Sequence, residues 1–543
     1  MHHRITRALA IAAAIAITLT PAGPVFGNDN SRGDTATPIK HLVVIFQENI
    51  SFDHYFGTYP SAQNLQGEPQ FNAKSNTPTV NGYGPALLVN NPNLNAANGK
   101  GATNPFRLSR SQAVTSDQNH AYGPEQSAFH MGLMDLFPLH VGSAGPPPNA
   151  PPMVLSTNGL NLGYFDGNTV TAFWNYAQHF ALSDNSYGST FGPSTVGLIN
   201  LVSGQTNGVS EVLNPSSSFE TDGGPDGNGN PTLTVVNDPD PIGDACANPN
   251  RNQAQLSGKN IGDLLNQAGV SWGSFMGGFD LATMNSNGTT GCSRSSTGLA
   301  GTTADYIPHH AFFQYWASTA NPMHTRPANA AEIGNNGPAN HNYDINDFYQ
   351  AIKTHNIPAV SFIKAPAIQD GHAGYSDPLD EQTFVVNLIN MLQNSDEWYS
   401  TAVIIAYDDS DGWYDHQMSP IVNQSASPAD TLTGLGSCGN GSLALGGPNG
   451  NPHAQGRCGF GPRLPLLVIS GFAKKNFVDH SLTDQSSVLR FIEDNWLQSQ
   501  RIDGSFDSVS GPIDYMFDFD HFRYNSQLIL DPGTGEVVTC NED

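Results

Sequence analysis

Acidic and amide side chains follow two apolar segments of this chain, at the point where each segment ends. The pair Glu48-Asn49 follows the run LVVIF at 42–46, and the pair Asp408-Asp409 follows the run AVIIAY at 402–407. Such runs are typical of parallel strands buried on both faces, and in open α/β sheets the ligand crevice lies outside the carboxyl ends of the strands. One acidic strand end alone is most often a turn or a helix cap, but two would place repelling carboxylates in one crevice unless a cation neutralises them. These oxygen ligands therefore predict a divalent metal site.

The segment Gly192-Pro193-Ser194-Thr195 is the candidate nucleophile turn. A hydroxyl is a poor nucleophile at its ordinary pKa and needs a base or a metal to activate it. Taken alone, such a tetrapeptide is more often a turn that caps a helix than a catalytic site. Ser194 can fill both roles if it opens a helix whose first amide groups bind phosphate oxygens.

Histidines are the third group of residues suited to chemistry, and the chain has 18 of them. Several stand in segments rich in Gly, Pro or Asp, namely His120, His309, His310, His372 and His416. A single loop histidine is usually solvated, but several that converge on one acidic site can bind a metal, stabilise an oxyanion or donate a proton. The segment 411–416, DGWYDH, directly follows the second acidic pair, so we expect it at the edge of the same crevice.

Apolar runs and segments with helical spacing alternate along the chain. The sequence predicts strands at 41–46, 270–272, 359–363, 402–407 and 463–470. It predicts helices that begin after Pro124 and at residues 169, 261, 379 and 486. Strands that alternate with helices in this way predict an α/β fold with a doubly wound, mostly parallel sheet.

The first 27 residues have the pattern of a signal peptide. Arg4 and Arg7 give a positive start, and the apolar stretch from Leu9 to Leu19 is too short to span a membrane. We prefer this interpretation to a buried N-terminal helix, and expect a secreted or periplasmic protein with no transmembrane anchor after processing. Residues 28–543 are expected to form one domain with loop-rich insertions near 60–110, 205–257 and 420–460.

The five cysteines agree with export. Cys246 with Cys292, and Cys438 with Cys458, bracket loop-rich segments, and each pair can close one disulfide, which leaves Cys540. Sequence alone does not fix this connectivity. The spacing is not that of a thiolate zinc site.

The charge balance excludes some classes of partner. The chain has 21 basic and 47 acidic residues, for a formal net charge of −26. Nucleic acid backbones are bound with Lys and Arg, so this balance argues against a nucleic acid partner. It also argues against electrostatic docking on anionic lipid.

Seven motifs, in order along the chain, resemble those of a known family. They are QENxSFDHYFG at 47–57, DQNHxYxxEQ at 117–126, DNSYGSTFGPST at 184–195, PHHxxFQY at 308–315, GHxGxSDPL at 371–379, YDDSDGWYDH at 407–416 and GPRLP at 461–465. They resemble the bacterial phosphoesterases that include non-haemolytic phospholipase C and the AcpA-type acid phosphatases. That family resembles alkaline phosphatase in its core, which implies a three-layer α/β/α fold.

The resemblance also implies roles for individual residues. The implied ligands of a divalent metal are Glu48, Asn49, Ser194, Asp408 and Asp409. Ser194 is also the implied nucleophile, which forms a phosphoserine, and the implied phosphoryl-binding histidines are His120, His310 and His372. We expect further side chains next to these groups, namely Asp53, His54, His309, Asp411 and His416.

Three functions are consistent with this sequence. The first is a secreted phosphomonoesterase of broad range, of the acid phosphatase type. The second is a phospholipase C that cleaves the phosphodiester of a phospholipid headgroup. The third, from another class, is an exported binding protein on an inactive phosphatase fold. The segment Ser-Thr-Val-Gly at 194–197, in place of the Pro-Asn-Arg of many phospholipases, favours the first.

Overall fold

A computed structural model of the chain describes residues 35–142, 151–215, 217–225, 231–439, 455–524 and 526–541. Residues Asp34–Asp543 form one compact unit. The predicted signal peptide at 1–27 lies outside the described residues, as does part of the predicted insertion at 420–460. Within the described ranges, none of the helices has the length and apolar character that a membrane crossing needs.

An eight-stranded sheet forms the centre of this unit. Its strands are β1 His41–Gln47, β2 Ala181–Ser183, β3 Trp272–Met276, β4 Asn342–Asp344, β5 Val360–Lys364, β6 Thr401–Tyr407, β7 Leu466–Ser470 and β8 Phe477–Asp479. Their order across the sheet is β4-β3-β5-β1-β6-β7-β2-β8. β1, which contains the apolar run at 42–46, is therefore a central strand of the sheet.

Most neighbouring strands of this sheet are parallel. Five of the seven neighbouring pairs are parallel, and β7 is antiparallel to both of its neighbours. Every residue of β1 and β6 is buried, so both faces of the sheet are covered at its centre, as is usual for parallel strands. The predicted α/β class with a mostly parallel sheet is confirmed. The predicted strand at 463–470 begins later, at Leu466, after Pro465, which has no amide hydrogen for a ladder.

Seven helices of the described residues are eight residues or longer. They are α1 Tyr122–Phe129, α2 Thr171–His179, α3 Ser194–Ser203, α4 Ile261–Ala268, α5 Ile345–Lys353, α6 Pro378–Gln393 and α7 Gln485–Trp496. Shorter helices span Phe52–Phe56, Pro85–Val89 and Phe137–His140. The side chains of Asp377 and Asp484 accept hydrogen bonds from the first amide groups of α6 and α7, which fixes where those helices begin.

The segment 205–257 differs from its prediction as a loop-rich insertion. It contains a five-stranded, mainly antiparallel sheet. The strands are Asn207–Leu213, Phe219–Pro225, Pro231–Val235, Asp240–Pro241 and Gln253–Leu256. Val209, Val235 and Ala254 are buried, whereas several intervening residues are polar and exposed. An antiparallel sheet with one solvated face needs few apolar residues, and so its composition resembles that of a loop.

Two disulfides close loops outside the central sheet. Cys246 is bonded to Cys292, and Cys438 is bonded to Cys458, as predicted. Cys540 lies at the end of the strand Val537–Cys540, with its Sγ 3.3 Å from Nε2 of His179.

Glycine 197 allows α3 to approach the end of β6. A Cβ atom built at Gly197 would lie 2.2 Å from the backbone oxygen of Asp408. That distance is far shorter than a van der Waals contact, so no larger residue fits without movement of the helix or the strand. The close approach brings the first turn of α3 next to the acidic pair that follows β6.

The buried carboxylate of Glu381 connects α6 to the short helix after β1 and to the end of β6. Glu381, on α6, accepts hydrogen bonds from the hydroxyl groups of Tyr55 (2.6 Å) and Tyr407 (2.7 Å). Burial raises the pKa of Glu381 to about 8, although the two tyrosine hydrogen bonds act in the opposite direction. The folded protein therefore takes up a proton here at a pH where the unfolded chain does not.

We predict that Gly197→Ala destabilises the protein by about 1–3 kcal/mol, because the added methyl group overpacks a tight contact. Activity should fall as well, since α3 and the end of β6 can no longer approach each other as closely. Urea unfolding and a phosphatase assay measure the two effects. Gly84→Ala is the matched control, because a Cβ atom there meets open space. A Gly197→Ala protein as stable and active as this control contradicts the prediction.

We also predict that Glu381 makes the free energy of unfolding depend on pH. Its folded pKa is above its ordinary value of 4.5, so its contribution is fully present below that value and is lost as the pH rises through about 8. One such group changes the free energy of unfolding by at most about 1.4 kcal/mol per pH unit. Glu381→Gln should reduce this slope between pH 5 and about 8 in urea unfolding series, whereas Glu211→Gln, at an exposed position, should keep it. Equal slopes in wild type and Glu381→Gln would show that Glu381 is ionised in the fold.

Candidate active site and metal centre

The two acidic pairs meet at the carboxyl edge of the central sheet. Gln47 and Tyr407 are partners at the ends of the parallel strands β1 and β6, so the residues that follow them are neighbours. The backbone amide of Asn49 donates to Oδ1 of Asp408 at 2.9 Å, and Asn49 has a left-handed backbone with φ of 64°. Asparagine tolerates this conformation better than most residues, and the turn it makes keeps its amide group inside the cluster.

The hydroxyl group of Ser194 lies among the predicted ligand side chains. Its Oγ is 2.9 Å from Oε2 of Glu48, 3.3 Å from Oδ2 of Asp409 and 3.4 Å from Oδ1 of Asn49. Ser194 is the first residue of α3 and is buried. The structure thus brings together the five residues predicted as metal ligands from three separate parts of the chain.

One amide group in the first turn of α3 has a carboxylate partner. The backbone N–H of Thr195 donates to Oδ1 of Asp238 at 2.9 Å. Asp238 comes from the inserted segment 205–257, directly after its central strands. This amide group is therefore already paired with a carboxylate, and binding of phosphate by the other amide groups of the turn stays a prediction.

The ligand cluster has the properties of a cation site. Oδ2 of Asp408 is buried without a hydrogen-bond partner, and the carbonyl oxygen of Asn49 faces only acceptors. Turned by half a rotation, the Asn49 amide would donate to Oε2 of Glu48 at 2.6 Å instead. Oxygen atoms that converge without a proton between them are stabilised by a hard cation, so these residues fit a divalent metal.

His120 and His372 are fixed through their Nδ1 atoms. Nδ1 of His120 is 3.0 Å from the backbone oxygen of Gln118 and 3.1 Å from Oδ1 of Asp411. Nδ1 of His372 is 2.6 Å from the backbone oxygen of Ala373. Nε2 of His120 lies 3.5 Å from Nδ2 of Asn49, and Nε2 of His372 lies 3.1 Å from the same amide group. Both imidazoles are therefore held at the edge of the ligand cluster, and their contact with a phosphoryl group stays a prediction.

His310 and His309 approach the cluster from another side. Nδ1 of His310 is 3.2 Å from Oε1 of Glu48. The backbone oxygen of His309 accepts a hydrogen bond from the hydroxyl of Thr195 at 3.1 Å. Nδ1 of His309 accepts from the guanidinium of Arg251 at 3.0 Å. The His-His pair therefore connects the nucleophile helix to the inserted sheet.

Burial and neighbouring charges shift the titration of this site. Burial and the nearby carboxylate of Glu48 raise the pKa of Asp408 to about 8, and burial raises the pKa of Asp409 well above its usual value. Burial opposes protonation of His120, but the carboxylates of Asp409 and Asp411 outweigh it and hold the pKa of His120 well above its usual value. Burial lowers the pKa of His310 and of His372. Without a cation, burial and mutual repulsion thus favour the protonated forms of Asp408 and Asp409.

The other residues predicted near the site have different surroundings. Asp411 contacts His120, as described above. His416 pairs with Asp53 (Nδ1 to Oδ2, 2.5 Å), and Asp53 also pairs with the buried Arg463 at 2.9 Å. His54 stacks on Trp413 at 3.9 Å, and burial lowers its pKa to about 3. The contacts of these last residues join the segments after β1 and β6 to one another, and any catalytic role for them stays a prediction.

Four residues of the site were not predicted from the sequence. Lys364 and Asp370 lie beside Glu48, and Asp238 caps the nucleophile helix. Glu125 accepts from the amide of Gly192 (3.1 Å) and from the hydroxyl of Ser410 (2.7 Å), which links the nucleophile turn to the segment after Asp409. Lys364 had a local signal, because it stands at the carboxyl end of an apolar strand like the two acidic pairs, and Glu125 lies within the motif at 117–126.

A model of the Phosphoesterase family matches residues 39–497. The chain belongs to this family. The match covers the central sheet from β1 through α7, including every predicted ligand and histidine. The family predicted from the seven motifs is confirmed.

The relatives found by sequence comparison are phospholipases. The chain is 25% identical over 480 residues to the non-haemolytic phospholipase C of Burkholderia pseudomallei, covering 86% of this chain but 56% of that protein. It is 24% identical over 489 residues to phospholipase C A of Mycobacterium tuberculosis, covering 89% of this chain and 78% of that protein. Among solved structures, a Vibrio parahaemolyticus protein of the alkaline phosphatase superfamily has 12% identity and a TM-score of 0.25, covering 76% of this chain and 70% of that chain. This last likeness is too distant to establish a common fold.

Proposed function

We propose that this protein is an exported, metal-dependent phosphoric ester hydrolase whose nucleophile is Ser194. The observation that carries the proposal is the position of the Ser194 hydroxyl, within 3.4 Å of oxygens from Glu48, Asn49 and Asp409. A buried hydroxyl at the centre of an oxygen-ligand cluster is suited to activation by a divalent cation. Membership of the Phosphoesterase family supports the reaction class.

The metal would be held by the five predicted ligands, namely Glu48, Asn49, Ser194, Asp408 and Asp409. When bound, a divalent ion lowers the pKa of a coordinated hydroxyl and neutralises charge on the phosphoryl group. The chain supplies the remaining parts: two carboxylates that accept from the Ser194 hydroxyl, and imidazoles that face the same space.

The reaction proceeds in two displacements. Oγ of Ser194 attacks phosphorus in line and forms a phosphoserine as the bond to the departing alcohol oxygen breaks, while the hydroxyl proton passes to a neighbouring carboxylate such as Glu48. His120 donates a proton from Nε2 to the departing oxygen, since Asp411 and the Gln118 carbonyl hold its Nδ1. Water then attacks the phosphoserine and gives a proton to His120, while the carboxylate returns its proton to Oγ of Ser194 as the bond from Oγ to phosphorus breaks and phosphate leaves.

We propose that the protein is an acid phosphatase that cleaves a broad range of phosphomonoesters. Arg251 bonds to His309 and to the backbone oxygen of Asp238, both of which contact Thr195 beside the nucleophile. A guanidinium and an imidazole at this edge suit the dianionic phosphate of a monoester. The second candidate is a phospholipase C, which the names of the relatives favour.

The inactive binding protein is the weakest of the three alternatives. The expected nucleophile, the expected ligands and the three expected histidines are present and brought together at one edge of the sheet. A fold that had lost its activity has no need to keep Ser194 oriented toward a cluster of buried carboxylates. Export is supported by the signal-peptide pattern of residues 1–27 and by the two disulfides.

Ser194→Ala should abolish turnover, by roughly a thousandfold or more, because no other group stands at the point of attack. Circular dichroism and thermal unfolding should show an intact fold. The matched control is Ser203→Ala on the same helix, whose hydroxyl donates to the backbone oxygens of Ile199 and Gln205. That control should lose about 1 kcal/mol of stability and keep its activity. Retained activity in Ser194→Ala removes the nucleophile assignment.

Hydrolysis of p-nitrophenyl phosphate should exceed that of p-nitrophenylphosphorylcholine when both are measured at equal concentration. Chelator should abolish both activities, and a divalent metal should restore them, because the ligand cluster cannot hold its charge without a cation. Preference for the choline diester would make the protein a phospholipase C. If neither substrate is cleaved after metal is restored, the protein is not a hydrolase of these classes.

A further inference from the structure

Glu48 contacts two different groups through its two carboxylate oxygens. Oε2 accepts the hydrogen bond from Ser194 and so belongs to the proposed metal centre. Oε1 lies 3.2 Å from Nδ1 of His310 and pairs with Nζ of Lys364. We call the space beside Oε1 of Glu48 the second compartment. The proposed mechanism does not use it.

The second compartment contains a set of groups that is typical of a metal site. One atom each from Glu48, His310 and Asp370 lies within 4.8 Å of the others, and all three residues are buried. Asp370 is held in place, since it accepts from the backbone amide of His372 at 3.0 Å and from the hydroxyl of Tyr375 at 3.2 Å. One imidazole and two carboxylates form a common ligand set for Zn²⁺ and for other first-row divalent metals. We call these three residues the second ligand set.

Lys364 places its ammonium group in this compartment. It is the last residue of β5, which pairs with β1, and only 1% of it is exposed. Its Nζ pairs with Oε1 of Glu48 and lies 3.8 Å from Oδ2 of Asp408. Lysine is rarely buried to this extent unless it is paired with negative charge. The ammonium group therefore supplies positive charge beside Glu48, a shared member of the second ligand set.

We propose that Lys364 is a built-in cation that keeps a divalent metal out of the second ligand set. The single charge of the ammonium group neutralises Oε1 of Glu48, so that Oε2 stays directed at Ser194 with only one metal bound. The inference goes beyond the proposed function but rests on its assignment of Glu48 to the metal centre. It predicts that the chain carries a latent metal site which a single substitution opens.

Lys364→Ala tests this inference, because it removes the ammonium group and leaves space for an ion. Manganese bound per folded chain is measured by equilibrium dialysis, and the bound ions are examined by electron paramagnetic resonance. We expect Lys364→Ala to bind one Mn²⁺ more per chain than wild type. If the first centre is also filled, the two ions share Glu48 and their spectra should show spin coupling. No increase in bound Mn²⁺ overturns the proposal.

Two further variants serve as controls. Lys364→Arg keeps the positive charge and should bind the same number of ions as wild type. The double variant Lys364→Ala/Asp370→Asn lacks one ligand of the second set and should lose the additional ion, whereas an additional ion that persists there lies elsewhere and contradicts the assignment. Because the readout is a difference between variants, it is independent of hydrolysis. If wild type binds no Mn²⁺ while Lys364→Ala binds one, the proposed first centre fails and the inference about Lys364 stands.

Loss of the buried pair can also destabilise the fold. If Lys364→Ala is unfolded without metal, Mn²⁺ should raise its melting temperature more than that of wild type, because binding to the folded state alone stabilises it. Circular dichroism melting with and without Mn²⁺ measures this. A variant that Mn²⁺ does not stabilise more than wild type contradicts the proposal.

Discussion

The structure depends on the confinement of several carboxylates in a buried space at the ends of β1 and β6. Glu48, Asp370, Asp408, Asp409 and Asp411 are each at most 2% exposed. Uncompensated charges cost several kcal/mol each when they leave water, so the fold must either protonate these groups or supply cations. The described part of the chain provides Lys364 on one side and His120 on the other. The raised pKa values of Asp408 and Asp409 are the first of these responses, and the divalent metal of the proposed function would be the second.

The sheet itself explains why so much of the site was predictable. A fully buried parallel strand has a continuous apolar sequence, and it can hold polar groups only where it ends. β1 and β6 are adjacent and in register, so two acidic pairs that are 360 residues apart in sequence must meet. The same physical rule predicted the sheet and the two acidic pairs, whereas Ser194 was predicted from the turn at 192–195 and from the family resemblance.

The remaining features could not be read from local sequence. The antiparallel direction of β7 depends on connections that leave no trace in the strand, and the inserted sheet at 205–257 has the composition of a loop. Glu125 was read as part of a helix, yet it joins Gly192 to Ser410 across the site. Lys364 is different, because the strand-end rule applied to β5 would have found it. The rule was applied to carboxylates alone. Buried carboxylates also need positive charge nearby, and a lysine at the end of a neighbouring strand can supply it.

Asp238 and Arg251 belong to the inserted segment 205–257, whereas the predicted metal ligands come from the central fold. The ends of β1 and β6 supply the predicted acidic ligands, and the start of α3 supplies Ser194, the proposed nucleophile. Close packing such as that of Gly197 against Asp408 fixes their relative positions. The inserted sheet supplies the carboxylate that caps the nucleophile helix and the guanidinium beside His309. Both groups lie near Thr195, next to the proposed nucleophile, rather than at the strand ends. Substrate choice between a monoester and a phospholipid headgroup is therefore expected to depend on this inserted segment, and reaction type on the strand ends.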